Sequence, residues 1–146
     1  MGEPPSRLDR YTFLIERPLG KRVALALREN GFRVKMFTDH FLDGAPDVEW
    51  ISRAANEGWV VLTKDSAIRR RPNERLAIQN SGLRVFTLTR GTWTADDMAH
   101  AFIAAGRRIA KTLKLHPGPF IARITKTGEI SKMDDLAGRE EEDDPA

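Results

Sequence analysis

Three acidic residues stand beside apolar segments of this chain, where a sheet could bring them to one edge. Glu16 follows the apolar run 11–15, and Asp65 closely follows the apolar run 59–63. Asp47 lies in the first turn of a predicted helix. Gathered carboxylates repel one another and require a cation, and open sites of hard oxygen ligands suit Mg²⁺ or Mn²⁺. Two such ions about 3.5–4 Å apart would activate water for phosphodiester cleavage, so all three acids are candidate catalytic and metal-binding residues.

Each of these acids also has a purely structural interpretation. Asp47 could complement the dipole of the helix that it opens. Asp65 could cap a short helical turn over residues 66–70. Glu16 could be a surface charge paired with a neighbouring basic residue. Only their shared position at one sheet edge favours the metal site.

Basic residues surround the third acid. Lys64 precedes it, and Arg69, Arg70 and Arg71 follow within six residues. Guanidinium groups bind phosphates through paired hydrogen bonds, so these four residues are candidates to hold a nucleic-acid backbone. The alternative is a solvated basic loop.

The elements that must position these residues alternate between strand and helix. Alternation of this kind predicts an α/β fold, with a mostly parallel sheet covered by helices on both faces. In such a sheet, ligands bind at the carboxyl ends of the strands. The predicted strands are residues 11–15, 32–37, 59–63 and 83–88, and the predicted helices are residues 21–30, 46–58, 74–81 and 94–115.

The C-terminal part departs from this alternation. Residues 120–125 and 130–133 flank Lys-Thr-Gly-Glu, which predicts a terminal β-hairpin. We expect a flexible N-terminus at 1–10, a single domain at 11–134 and an acidic, disordered tail at 135–146.

Composition limits the class of protein. A chain of 146 residues is one ordinary domain, and the absence of cysteine excludes disulfide scaffolds, thiolate metal sites and thiol catalysis. No apolar run is long enough to cross a bilayer, so we expect no membrane partner and a reducing, cytoplasmic location. Five of the 21 acidic residues lie at 140–144, which leaves 24 basic against 16 acidic residues elsewhere, a net charge of +8. A basic body favours a polyanionic partner.

Several segments resemble the compact PIN-like domains of VapC-type toxins. The resemblance covers about residues 11–125 and is most specific between residues 59 and 72. The matching segments are FLIERPLG at 13–20, GFRV at 31–34, PDVEWI at 46–51, WVVLTKD at 59–65 and IRRRP at 68–72.

The resemblance implies a three-layer α/β/α PIN-like fold and a Mg²⁺- or Mn²⁺-dependent endoribonuclease. It also implies an RNA substrate, a cognate antitoxin protein and a possible homodimer. Carried over to this sequence, Glu16 matches the first acid, Asp47 the helix acid and Asp65 the acid after the third strand. The family's first acid is usually aspartate, so Glu16 departs from the pattern. The fourth strand carries no clear fourth acid and has Thr87 and Thr89 instead, and Asp39 and Glu74 are candidates for a fourth acid.

Two other functions remain open from the sequence. The Glu16 departure is compatible with a catalytically weak or inactive module that binds RNA or a protein partner. An aspartate after the third strand is also found in phosphoacceptor signalling domains, where Thr87 and Lys126 would support Asp65. Those domains place an acidic pair after the first strand, whereas this chain has Glu16 and Arg17.

Overall fold

The computed structural model describes residues 8–42 and 44–137. These residues form one sheet with helices on both of its faces. The strands are β1 (Thr12–Ile15), β2 (Arg33–Met36), β3 (Val60–Thr63), β4 (Arg84–Leu88), β5 (Phe120–Ile124) and β6 (Ile130–Asp135). The α-helices are α1 (Gly20–Glu29), α2 (Asp47–Asn56), α3 (Pro72–Ser81), α4 (Ala95–Ala104) and α5 (Gly106–Leu115).

The strand order in the sheet is β2-β1-β3-β4-β5-β6. The first five strands are parallel, and β6 pairs antiparallel with β5 as the predicted hairpin. The chain leaves β1 in one direction to form β2 and returns on its other side to form β3. The topological switch point therefore lies between the carboxyl ends of β1 and β3, where α/β sheets open a ligand crevice.

The central strands are buried on both faces, which explains their uninterrupted apolar sequences. Leu14 and Val61 face the layer formed by α2 and α3, whereas Phe13 and Leu62 face α1, α4 and α5. All four of these side chains are fully buried. The result is the three-layer α/β/α arrangement that the sequence predicted.

One helix differs from its prediction. The long helix expected at 94–115 is two helices, broken at Ala105. The predicted start is confirmed, because Thr94 and Asp97 form a capping box. At the break, the hairpin turn packs so closely that a Cβ on Gly128 would lie 2.6 Å from the Cβ of Ala104. The break therefore lies where the turn between the last two strands packs against the helices.

The structure describes both predicted domain boundaries, at residues 10/11 and 134/135, but only part of the predicted flexible ends. A 3₁₀ turn at Leu8–Arg10 precedes β1 and buries Leu8. At the other end Asp135 closes β6, and Leu136 is buried. Residues 1–7 of the predicted flexible N-terminus and 138–146 of the predicted tail lie outside the described residues. No helix within 8–42 and 44–137 has the length and apolar character needed to cross a membrane.

Candidate active site

The two acids that follow strands lie at the switch point. Glu16 comes directly after β1, and its backbone N–H donates to the carbonyl of Leu62 on β3 at 3.2 Å. This bond continues the parallel register, in which Ile15 lies opposite Leu62. The Glu16 side chain is thereby placed against Thr63, the last residue of β3.

The Thr63 hydroxyl connects Glu16 to the segment that carries Asp65. It donates to Oε1 of Glu16, and it accepts the backbone N–H of Asp65 at 3.0 Å. Thr63 is fully buried, so this hydroxyl has a fixed position. It holds the two acid-bearing segments in one geometry.

Asp65 is both a cap and an ion-pair partner. Its Oδ1 accepts the backbone N–H of Ala67 at 3.0 Å and so caps the 3₁₀ turn Ser66–Arg69, close to the structural interpretation made from sequence. Its Oδ2 accepts a bond from Nη2 of Arg71. The cap fixes the Asp65 carboxylate beside the end of β3. From there its negative charge raises the pKa of Glu16.

Asp47 reaches the same place from α2. Its exposed carboxylate accepts Nε1–H of the buried Trp50 at 3.0 Å. It also shares a hydrogen bond with Glu74, which lies in the first turn of α3 and is only 7% exposed. Glu74, one of two candidates for a fourth acid, therefore joins the cluster.

The other candidate, Asp39, lies elsewhere. It ends the 3₁₀ turn Phe37–Asp39 and is exposed. Among the contacts of the described residues, none links Asp39 to the other acids. Glu74 carries a sequence signal that Asp39 lacks: it follows Pro72 at a helix start, just as Asp47 follows Pro46.

We call Glu16, Asp47, Asp65 and Glu74 the acid cluster. Burial raises the pKa of Glu16, and the charges of Asp65 and Asp47 raise it further, against the lowering effect of the Thr63 hydrogen bond. Burial and the hydrogen bond to Asp47 raise the pKa of Glu74 to about 7, whereas the same hydrogen bond lowers the pKa of Asp47. The cluster therefore stabilises one proton and attracts positive charge.

Arg71 supplies positive charge from within the chain. Its guanidinium donates to Asp65 through Nη2 and to Glu74 through Nη1. These bonds raise the pKa of Arg71, with the bond to Asp65 the larger cause. Arg71, predicted from sequence to hold RNA, thus bridges two members of the acid cluster.

The other three predicted RNA-binding residues do not bond to the acid cluster. Lys64 and Arg70 are exposed, and within the described residues neither side chain has a hydrogen-bond or ion-pair partner. Arg69 is half-buried, and its carbonyl accepts a bond from Arg75 at 2.8 Å. Lys64 and Arg70 are therefore free to meet an anionic ligand.

The donor set of the acid cluster matches the chemistry of Mg²⁺ and Mn²⁺, which prefer carboxylate oxygens. A cavity of about 400 Å³ gives Glu16 and Asp47 access to solvent. Within 8–42 and 44–137, no three acidic or histidine side chains are already arranged around one metal position. Two of the four acids, Asp65 and Glu74, are instead bonded to the guanidinium of Arg71.

Thr87 and Lys126, which would support Asp65 in a phosphoacceptor domain, do not lie beside it. Nζ of Lys126 lies 3.8 Å from Oδ2 of Asp97 and over the ring of Trp93, 5.4 Å from its centroid. The Thr87 hydroxyl is buried, 3.4 Å from the carbonyl of Leu88. Neither residue contacts Asp65, so the supporting pair for a phosphorylated aspartate is lacking within the described part of the chain.

Comparison with known proteins agrees with this geometry. Residues 12–90 match the model of the family described as "PIN like domain". The chain is also 34% identical over 115 residues to the "Putative ribonuclease VapC45" of Mycobacterium tuberculosis (strain ATCC 25618 / H37Rv), which covers 75% of this chain and 83% of that protein. No solved structure matches the chain significantly. This chain belongs to the PIN-like domain family and is a VapC-type member of it.

Proposed function

We propose that this chain is the toxin of a toxin–antitoxin pair, a divalent-metal-dependent endoribonuclease that hydrolyses RNA phosphodiester bonds. The observation that carries the proposal is the acid cluster at the switch point of a PIN-like sheet. The curated relative supports it, since its name describes a ribonuclease.

In this proposal Glu16, Asp47 and Asp65 hold Mg²⁺ or Mn²⁺. The ion supplies positive charge beside the scissile phosphate and lowers the pKa of water. Thr63 orients Glu16 and the backbone at Asp65, which limits the geometries that the carboxylates can adopt. Low solvent exposure around Thr63 strengthens the electrostatic interactions at this end of the site.

The basic residues hold the RNA backbone. Lys64 and Arg70 are exposed cations near the acid cluster, and Arg69 lies between them on the turn that Asp65 caps. Arg71 is bonded to the acids, and with a metal ion held by those acids its guanidinium would be available to a flanking phosphate.

A VapC-type protein is expected to work with a cognate antitoxin protein, and we propose that such a partner exists for this chain. We also propose action in the cytoplasm, where RNA is available. Light scattering of the purified chain measures its mass in solution and so tests for the homodimer that the resemblance implies.

The test of catalysis compares RNA cleavage with Mn²⁺ and with EDTA, in the wild type and in Asp65→Asn. Asp9→Asn is a matched control, because Asp9 is exposed and lies in the turn before β1. We expect cleavage that depends on Mn²⁺ and disappears in Asp65→Asn but not in Asp9→Asn. Cleavage that survives both EDTA and the Asp65 substitution would contradict the mechanism.

A second candidate function is a catalytically weak module that binds RNA or a protein partner, and Glu16 is the observation that favours it. Glutamate is one methylene longer than the usual aspartate, and displacements of about 1 Å impair catalysis. The variant Glu16→Asp separates the two functions. An inactive wild type that gains cleavage on this substitution supports the weak module, whereas an active wild type supports the nuclease.

A further inference from the structure

A second cavity adjoins the one that opens onto Glu16 and Asp47. Its volume is about 430 Å³, and Asp65 forms part of its wall. Pro18 lines both cavities. Members of the acid cluster therefore contribute to two neighbouring depressions, each within the size range of about 300–1,000 Å³ for small-molecule sites.

The two cavities differ in charge. Among the described residues that line the first cavity are the acids Glu16 and Asp47 and the basic residue Arg17. The described lining of the second includes the cations Lys64 and Arg90 and the acid Asp65. Both cations are exposed, and in the described part of the chain neither has a hydrogen-bond or ion-pair partner. An anionic ligand is thus favoured in the second cavity.

The walls of the second cavity combine apolar and hydroxyl groups. Trp93 and Pro18 provide apolar surface, and the ring of Trp93 is fixed because its Nε1–H donates to the carbonyl of Thr89 at 2.9 Å. Ser66 and Thr89 also line the cavity. Within the described residues their hydroxyl groups have no hydrogen-bond partner, so both are available to a ligand. Apolar walls with a few polar groups suit a sugar and base.

We propose that this cavity, which we call the β3–β4 cavity, binds the nucleotide next to the scissile bond of a single-stranded RNA. Lys64 and Arg90 hold its phosphate, and Pro18 and Trp93 contact its sugar and base. The proposal rests on the proposed nuclease function and adds to it a position for the strand and a role for Arg90. It also gives a direction to the bound RNA, which extends from the acid cluster across the carboxyl ends of β3 and β4.

Binding is measured without cleavage, by fluorescence anisotropy of a short labelled single-stranded RNA in EDTA as salt is raised. The variant is the double substitution Lys64→Ala with Arg90→Ala. We expect its affinity to fall at least about tenfold. The slope of log affinity against log salt should fall by about 0.7, because the two cations hold one phosphate and each phosphate neutralised on a single strand contributes about 0.7.

Two further variants make the test specific. Arg107→Ala with Lys111→Ala removes two exposed cations from α5, which lines neither cavity, and controls for loss of net charge. Ala67→Phe fills the β3–β4 cavity without changing any charge. We expect Ala67→Phe to weaken binding about tenfold while leaving the salt slope unchanged. Circular dichroism confirms that each variant is folded.

The outcomes separate this proposal from the nuclease. A wild type that cleaves RNA, with a Lys64/Arg90 variant that binds like the α5 control, overturns the nucleotide site and leaves the nuclease standing. A wild type that binds RNA through Lys64 and Arg90 but cleaves none supports the site and contradicts the nuclease. Unchanged binding by folded Ala67→Phe, or no RNA binding by the wild type, also overturns the site.

Discussion

Asp47 and Glu74 share a hydrogen bond between their carboxyl groups, although they open two different helices, α2 and α3. The bond requires a proton between two groups that are both ordinarily ionised at neutral pH. Glu74 retains it, because burial and Asp47 together raise its pKa to about 7. The contact between the first turns of α2 and α3 therefore includes a group that titrates near neutral pH.

The first prediction concerns pH. A folded-state pKa of about 7, above the ordinary value of 4.5, means that the Glu74 contribution to stability is complete below about pH 4.5 and is lost as pH rises through 7. In EDTA we expect the melting temperature of the wild type to fall by several degrees between about pH 5 and pH 8. Glu74→Gln, which cannot ionise, should show a flatter profile in thermal denaturation.

The matched control for this profile is Glu49→Gln, an exposed glutamate in the first turn of α2. It should retain the pH dependence of the wild type. Equal slopes for the wild type and Glu74→Gln over this window would show that the shared proton does not stabilise the fold.

The second prediction concerns the Thr63 hydroxyl. Thr63→Val keeps the shape of the side chain but removes the donor to the half-buried Glu16 carboxyl and the acceptor of the Asp65 backbone N–H, at a cost of about 1–3 kcal/mol. It should also weaken Mn²⁺ binding about 10–100-fold, as losses of groups that orient metal ligands do. Urea unfolding and calorimetric titration measure the two effects.

Thr87→Val is the matched control for the second prediction. Thr87 lies opposite Thr63 in the register of β3 and β4 and is equally buried, but its hydroxyl contacts only a backbone carbonyl at 3.4 Å. Mn²⁺ affinity should be unchanged in Thr87→Val. The same loss of affinity in both variants would rule out a specific role for Thr63.

The third prediction concerns competition between Arg71 and a metal ion. Arg71 pairs with the partly exposed Asp65 and with the buried Glu74, and because its guanidinium is exposed we expect each pair to contribute about 0.2–1 kcal/mol. Arg71→Gln should therefore lower the stability of the metal-free chain and raise its Mn²⁺ affinity by about 2- to 30-fold. Arg70→Gln, one residue earlier and exposed, should change neither quantity. Weaker Mn²⁺ binding in Arg71→Gln would contradict the competition.

The fourth prediction concerns the hairpin turn. Gly128 has φ of +85°, and an added Cβ would lie 2.6 Å from the Cβ of Ala104 and 2.9 Å from backbone atoms. Gly58 has a similar φ of +77° with nothing within 4 Å of an added Cβ. Gly58→Ala should cost about 1–2 kcal/mol from backbone strain alone. Gly128→Ala should lower the free energy of unfolding, measured in urea, by about 1–3 kcal/mol more than Gly58→Ala does. Equal losses in the two variants would show that the hairpin turn shifts to make room for the added Cβ.

Much of the fold follows from local patterns in the sequence. The uncharged run at 59–63 predicts a strand buried on both faces, and β3 is that strand. The alternation of strands and helices predicts a parallel sheet, which places the residues after β1 and β3 at one edge. The positions of Glu16 and Asp65 at this edge could therefore be predicted without knowing how the side chains pack.

The remaining features depend on contacts between distant segments. Nothing local indicates which arginine of 69–71 pairs with Asp65; in the structure Arg71, which follows the 3₁₀ turn Ser66–Arg69, forms that pair. The bond between Asp47 and Glu74 arises from how α2 packs on α3. The break at Ala105 accompanies a hairpin turn more than twenty residues later in the chain.

The two outermost strands bear on how this protein meets other chains. β2 carries Arg33 and Lys35, and β6 carries Lys132 and Asp135. Within the described residues neither border is paired with a further strand, and the charged side chains there oppose the addition of one, which is how natural sheets avoid aggregation. Extension of the sheet into a continuous β-structure across molecules is therefore disfavoured at both ends, and docking of another protein is left to the helical layers and the loops.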